Sequence, residues 1–226
     1  MNSKRFAYYP GCSLEGSAQE FDISIRAVFN RLGIELVEIE DWHCCGATSG
    51  HMTDELLSVA LPVYNILWAQ RMGLDIIAPC AACFSVSKTA DWRIKNENGI
   101  KEKIEILTGE EYTGAVNIYH SLEVLVKGLG AENLKKMRKI ELKELRIMPY
   151  YGCLLVRPPE IKNFDDAEDP KMFEELITIM GGEPVKTRYR TACCGGSRAI
   201  TSPDIAQKLS FDILKNAKEH GVECIA

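Results

Sequence analysis

Ala7-Tyr8-Tyr9-Pro10-Gly11-Cys12-Ser13-Leu14 is echoed later in the chain by Met148-Pro149-Tyr150-Tyr151-Gly152-Cys153-Leu154-Leu155. Each segment is followed by an adjacent pair of cysteines and a glycine, Cys44-Cys45-Gly46-Ala47 in the first copy and Cys193-Cys194-Gly195-Gly196 in the second. Between Cys12 and Cys44 lie 31 residues, and between Cys153 and Cys193 lie 39, so the second copy carries a modest insertion. An ordered repeat of this kind fixes the architecture before any single element is read. The chain divides into a first half, residues 1–145, and a second, residues 146–226.

The elements within each copy alternate. Phe6 to Tyr9 reads as a strand, Ala18 to Leu32 as a helix with Phe21, Ile25, Val28, Phe29 and Leu32 on one stripe, and Gly33 as its stop. Glu35 to Ile39 alternates like a strand, Thr53 caps a helix running to Met72, and Ile76 to Ala78 is the next strand. In the second copy Ile147 to Tyr151, Pro170 to Met180, the neighbourhood of Val185, Pro203 to Lys218 behind Ser202, and Val222 to Ala226 repeat the order. Strands alternating with helices predict α/β halves, each a small parallel sheet flanked by helices, with cysteines in loops at strand ends. The second copy stops just before the partners of Pro79 and Cys80, so it lacks a Cys-x-x-Cys and reads as incomplete at its C-terminus. Between the copies, Val116 to Leu129 carries an apolar helical stripe, and the lysine-rich Leu134 to Arg146 reads as a solvated connecting helix.

With 46% hydrophobic and 26% charged residues the chain is an ordinary globular protein. A net charge of -5 gives no basic face for nucleic acid. The longest apolar runs, Leu61 to Ala69 and Met148 to Val156, fall short of the roughly 20 residues of a membrane span. Met1 to Phe6 leads into a strand and not the apolar core of a secretion signal, which predicts a cytoplasmic, reduced protein.

Nine cysteines are the unusual feature. An odd number without a signal peptide argues against structural disulfides. Adjacent cysteines have Cα atoms about 3.8 Å apart, closer than a normal disulfide tolerates, so the pairs are thiolates aimed at a common third party. In the first copy the pattern is Cys12, Cys44-Cys45 and Cys80-x-x-Cys83. Five ionised thiols repel one another and need a multivalent cationic centre. One zinc ion or one cubane cluster takes four ligands, so the fifth points to a bridging thiolate or a cluster of altered geometry.

These residues resemble the Cys-Cys-Gly domain family, and the Tyr-Tyr-Pro-Gly-Cys12 and Tyr-Tyr-Gly-Cys153-Leu-Leu-Val-Arg-Pro-Pro segments look most like its heterodisulfide reductase B-subunit branch. The resemblance implies a non-cubane [4Fe-4S] cluster held by Cys12, Cys44, Cys45, Cys80 and Cys83. It implies a second site of which this chain carries three ligands, Cys153, Cys193 and Cys194. The implied activity is reductive cleavage of a mixed disulfide of two thiol coenzymes, of the coenzyme M and coenzyme B type used in methanogenesis. Implied partners are a cubane iron-sulfur subunit and a flavin subunit. Two other readings compete: an iron-sulfur subunit of a lactate, glycolate or succinate oxidoreductase, and a zinc-stabilised scaffold without turnover.

Smaller signals carry less. Cys224 reads as a plain core cysteine, His43 as a loop residue that could reach a cluster sulfur, and His51, His120 and His220 lack ligand spacing. Arg157 and Arg198 lie near the second copy's cysteines and could hold an anionic tail. Tyr8, Tyr9, Tyr150 and Tyr151 fit packing better than catalysis. Gly195-Gly196 has no phosphate-loop context, and no serine-histidine-acid set stands out.

Overall fold

The computed structural model describes residues 4–226; Met1 to Ser3, on which part of the leader reading falls, and the side chain of His51 lie outside the described residues. The chain forms two compact units that divide between Val124 and Leu125.

The first unit runs β1 (Arg5–Tyr8), α1 (Gly11–Glu15), α2 (Gln19–Arg31), β2 (Glu35–Glu38), α3 (Gly50–Thr53), α4 (Glu55–Met72), β3 (Ile76–Ile77), α5 (Ala81–Asn96), α6 (Ile100–Thr108), β4 (Ile118–Tyr119) and α7 (Ser121–Glu123). Its four strands are all parallel in the order β2-β1-β3-β4. The two inner strands are covered on both faces, which is why Phe6, Ala7, Tyr8, Ile76 and Ile77 read as continuous apolar runs and are buried. Helix α4 is also apolar nearly all round, because it packs against α3, α5 and α6; Val59, Val63, Ile66 and Leu67 are buried along it.

The second unit contains α8 (Ala131–Met137), β5 (Arg146–Met148), α9 (Pro159–Lys162), α10 (Met172–Ile179), β6 (Glu183–Pro184), α11 (Pro203–Glu219) and β7 (Cys224–Ile225). Its strands form a parallel sheet in the order β6-β5-β7. Met148, Ile213 and Ala217 form a core cluster against which Tyr150, Tyr189, Val222 and Ile225 pack. The segment after α8 belongs to this unit: the Arg138 guanidinium donates to the Ile179 carbonyl at 2.7 Å, and the Leu142 amide donates to Met180 at 3.0 Å.

Several expectations are corrected. The stripe from Val116 to Leu129 is not one helix. It contains β4, which pairs with β3, and His120, extended at φ -78° and ψ 150°, separates the strand from α7 and the π-helical turn Val124–Leu129. The Leu134 to Arg146 span is helical only as far as Met137. Helix α4 is capped by Asp54, whose carboxylate accepts from the Leu57 amide at 2.8 Å, while the Thr53 hydroxyl donates back to the Ser49 carbonyl. Ser202 precedes α11 without a side-chain cap, and Pro203 alone marks the first turn. Cys224 is exposed and is not a core residue, because β7 is an edge strand that turns Ile225 inward and Cys224 outward.

His120 links the sheet to the loop bearing the Cys-x-x-Cys. Its Nδ1 accepts from the Leu122 amide at 3.3 Å, so Nε2 carries the proton and donates to the Pro79 carbonyl at 2.8 Å. Burial holds the ring neutral, with its pKa brought down to about 4. A folded pKa below the unfolded value means that the unfolded chain binds the extra proton first, so this contribution is complete above about pH 6.5 and is lost as the pH falls toward 4. Between pH 7 and pH 4.5 the wild type should therefore lose roughly 2–3 kcal/mol of unfolding free energy that His120→Gln does not lose, measured by urea denaturation at both pH values.

Candidate metal centre

Parallel strands all end at one edge of their sheet, and loops leaving that edge meet there. The loop after β1 carries Cys12, the loop after β2 carries Cys44 and Cys45, and the loop after β3 carries Cys80 and Cys83. The fold thus gathers residues from three distant stretches of sequence. The Cys44 thiol lies 3.8 Å from the Cys12 sulfur. Cys83 stands next to both Cys45 and Cys80, and Cys12 neighbours Cys44, Cys45 and Cys80. Cys45 and Cys83 are buried, Cys80 is half-buried, and Cys12 and Cys44 are exposed.

This proximity depends on Gly11. Its φ is +69°, and a Cβ built there would sit 2.6 Å from the Cys83 sulfur, so any larger residue would push the thiols apart. The glycine after each Cys-Cys pair has a matching role. Gly46 and Gly195 have φ of +73° and +77°, and a Cβ on either would collide with the following long helix, at Leu61 in one copy and at Ala206 and Leu209 in the other.

The thiols shape one another's chemistry. Cys80 is brought down to about 6, first by the Cys83 thiol and then, against burial, by the Cys83 and Ala82 amides at the start of α5 and by the Ser13 side chain. Cys45 is brought down to about 7, again chiefly by Cys83. Cys83 is pushed far up, because it is the shared proton donor between two developing anions and is itself buried. Cys12 is pushed up by burial and then by Cys44. A proton on Cys83 is what lets two neighbouring sulfurs ionise, and a multivalent cationic body would serve in its place. The donor set thus fits an iron-sulfur group in its chemistry: five soft thiols in an open cradle, two already inclined to ionise. Among the described residues, no group of three or more His, Cys, Asp or Glu side chains is arranged to hold a metal ion.

Asn65, which the sequence did not single out, holds the Cys-Cys loop together with Tyr9. Asn65, buried on α4, accepts from the His43 amide at 2.8 Å and donates to the His43 carbonyl at 2.9 Å. The Tyr9 hydroxyl donates to that same carbonyl at 2.6 Å. The only sequence signal for Asn65 is an amide among the apolar residues Val63, Ile66 and Leu67. The His43 ring packs on Tyr64, with Nδ1 3.0 Å from the Asp41 carbonyl.

In the second unit, the loop after β5 carries Cys153 and the loop after β6 carries Cys193 and Cys194. Burial raises the Cys153 pKa, followed by the neighbouring Cys193. The Gly195 amide donates to the Cys193 sulfur at 3.3 Å. Three successive carbonyls ahead of the pair are taken. Arg190 accepts from the Tyr151 and Gly152 amides at 2.8 and 3.1 Å, Thr191 from the Arg157 guanidinium at 3.0 Å, and Ala192 from the Tyr150 hydroxyl at 2.8 Å. Arg157 also pairs with Glu168, so its donors serve the fold. Arg198 is exposed in the short 3₁₀ turn after the cysteines. Tyr151 bonds Glu174, which pairs with Arg190 in a buried network.

Comparison with known proteins gives a consistent result. The cysteine-rich domain family, CCG, matches twice, over residues 6–86 and 147–226. The 8-methylmenaquinol:fumarate reductase membrane anchor subunit of Wolinella succinogenes is 30% identical over 225 residues, 98% of this chain and 78% of that protein. The B-subunit of the ferredoxin/F(420)H(2)-dependent CoB-CoM heterodisulfide reductase of Methanosarcina acetivorans is 28% identical over 227 residues, 98% of this chain and 75% of that protein. A protein of Archaeoglobus profundus described as like the heterodisulfide reductase B-subunit is 28% identical over 223 residues, 95% of this chain and 74% of that protein. No helix among the described residues is long and apolar enough to cross a membrane.

Thiol alkylation of the metal-free protein, read by mass spectrometry against pH, should show Cys80 titrating at about 6 and Cys45 at about 7. In Cys83→Ala both should move up toward the ordinary thiol range of about 8.5 or beyond, because their shared donor is gone.

Proposed function

The chain belongs to the cysteine-rich CCG domain family and is an iron-sulfur electron-transfer subunit of an oxidoreductase complex; within that frame we propose that it reduces a mixed disulfide of two thiol coenzymes. The observation that carries the reading is the meeting of five thiols from three strand-end loops beside Gly11. Cys12, Cys44, Cys45, Cys80 and Cys83 would hold a non-cubane [4Fe-4S] cluster, and Cys153, Cys193 and Cys194 would contribute three thiolates to a second. When bound, such a group supplies electrons one at a time.

The overall reaction is the gain of two electrons and two protons by a sulfur-sulfur bond, giving two thiols. The electrons come from a cubane iron-sulfur subunit fed by a flavin subunit, in the cytoplasm. The polypeptide's own work is placement. Cys80 is mostly ionised and Cys45 about half ionised near neutral pH, burial of Cys45 and Cys83 keeps water from the inner side, and exposed Cys12 and Cys44 leave the outer side open to a disulfide.

A second reading has a specific basis in the Wolinella succinogenes relative, whose name couples 8-methylmenaquinol to fumarate reduction. On that reading the same iron-sulfur site passes electrons between a quinol and a carboxylic-acid oxidoreductase, of the lactate, glycolate or succinate kind.

Anaerobic analysis should find about four irons with matching acid-labile sulfide on the first repeat, and Cys83→Ala should lose most of both. Stoichiometric zinc without sulfide would mean a structural scaffold. The dithionite-reduced protein should then be oxidised by the coenzyme M–coenzyme B heterodisulfide; oxidation by a menaquinone analogue and not by the disulfide would transfer the assignment to the second reading.

A further inference from the structure

We infer that Tyr9 and Tyr150 are equivalent positioning residues, which fix the peptide entering each adjacent-cysteine pair and so set where the first sulfur of that pair is presented. Tyr9 stands three residues before Cys12, and Tyr150 three residues before Cys153. Each hydroxyl crosses to the other loop of its own copy and donates to the carbonyl immediately ahead of the pair: His43 at 2.6 Å and Ala192 at 2.8 Å. The tip of each ring also lies beside the glycine that precedes the first cysteine. A Cβ on Gly11 would be 3.9 Å from Tyr9 Cζ, and one on Gly152 would be 3.5 Å from the Tyr150 hydroxyl. One phenol thus ties the Gly-Cys turn to the Cys-Cys loop in each copy.

A peptide group is planar, so pinning its oxygen fixes the nitrogen and Cα of the cysteine that follows. Only the cysteine's own φ and side-chain torsion then remain to place its sulfur. The hydroxyls are not needed for packing. Tyr9 is fully buried, where phenylalanine would fill the same space without a polar group to satisfy.

The remainder of the clamp differs between copies, which isolates the phenol as the shared part. In the first, Asn65 adds a second donor to the His43 carbonyl and accepts from the His43 amide. Asn65 lies four residues past Leu61, the leucine packed on Gly46; four residues past Leu209, packed on Gly195, the second copy has Ile213. There the Arg157 guanidinium and the Tyr151 and Gly152 amides hold the two preceding carbonyls instead. Two unrelated sets of donors surround one common hydroxyl.

The inference concerns the polypeptide and holds for either electron acceptor; only its spectroscopic arm rests on the iron-sulfur reading. In the metal-free full chain, Tyr9→Phe should speed amide hydrogen exchange in residues 41–47 by about five-fold or more, the worth of one hydrogen bond, and leave residues 190–196 unchanged. Tyr150→Phe should do the reverse, and it decides the matter by itself if Tyr9→Phe does not fold. In iron-loaded protein, Tyr9→Phe should keep its iron yet alter the electron paramagnetic resonance spectrum. Unchanged exchange, equal acceleration of both segments, or faster exchange with an unaltered spectrum would overturn the inference. If no iron binds, the exchange arm decides alone and the failure belongs to the proposed function.

Discussion

Cys45, Cys80 and Cys83 crowd their sulfurs into a space largely closed to water, and the rest of the first unit is arranged around that crowding. Charge in such a place is costly unless a proton or a cation is shared, and the neighbouring Cys45 and Cys80 together with burial push the Cys83 thiol far up. The sheet supplies the convergence, because parallel strands deliver three loops to one edge. Gly11 supplies the clearance, and the start of α5 supplies oriented amides next to Cys80. A multivalent cation held by these thiolates would relieve the same repulsion.

The two copies show which parts of this arrangement are tied to the motif and which are local. The left-handed glycine after each cysteine pair, the leucine against it and the phenol on the preceding carbonyl occur in both. The flanking helices do not behave alike. Helix α4 is covered by α5 and α6, while α11 leaves Ile205, Phe211 and Leu214 exposed on its outer face.

Much of this was legible in the primary structure because cysteine spacing survives as a pattern at any distance. The repeat, the parallel α/β halves and the long helices around Phe29, Val63 and Ile213 all follow from periodicity. What was hidden depends on contacts between remote segments. β4 is only two residues long and sits in a stripe whose spacing also suits a helix; pairing with β3 decides it. Asp54 and Thr53 are adjacent residues that can both cap, and the Asp54 carboxylate wins by reaching the Leu57 amide. Cys224 has strand neighbours but takes the outward parity. Asn65 and His120 look unremarkable until the backbone atoms they serve, at His43 and Pro79, are seen beside them.

The uneven exposure of the five sulfurs gives the site a weathering order. Cys12 and Cys44 face solvent 3.8 Å apart, whereas Cys45 and Cys83 lie behind them. Air or peroxide therefore meets the outer two first, and their closure into a disulfide is a lesion that thiol reductants undo. The inner pair, being buried, is reached later, so a brief aerobic episode falls on the two sulfurs whose oxidation is reversible.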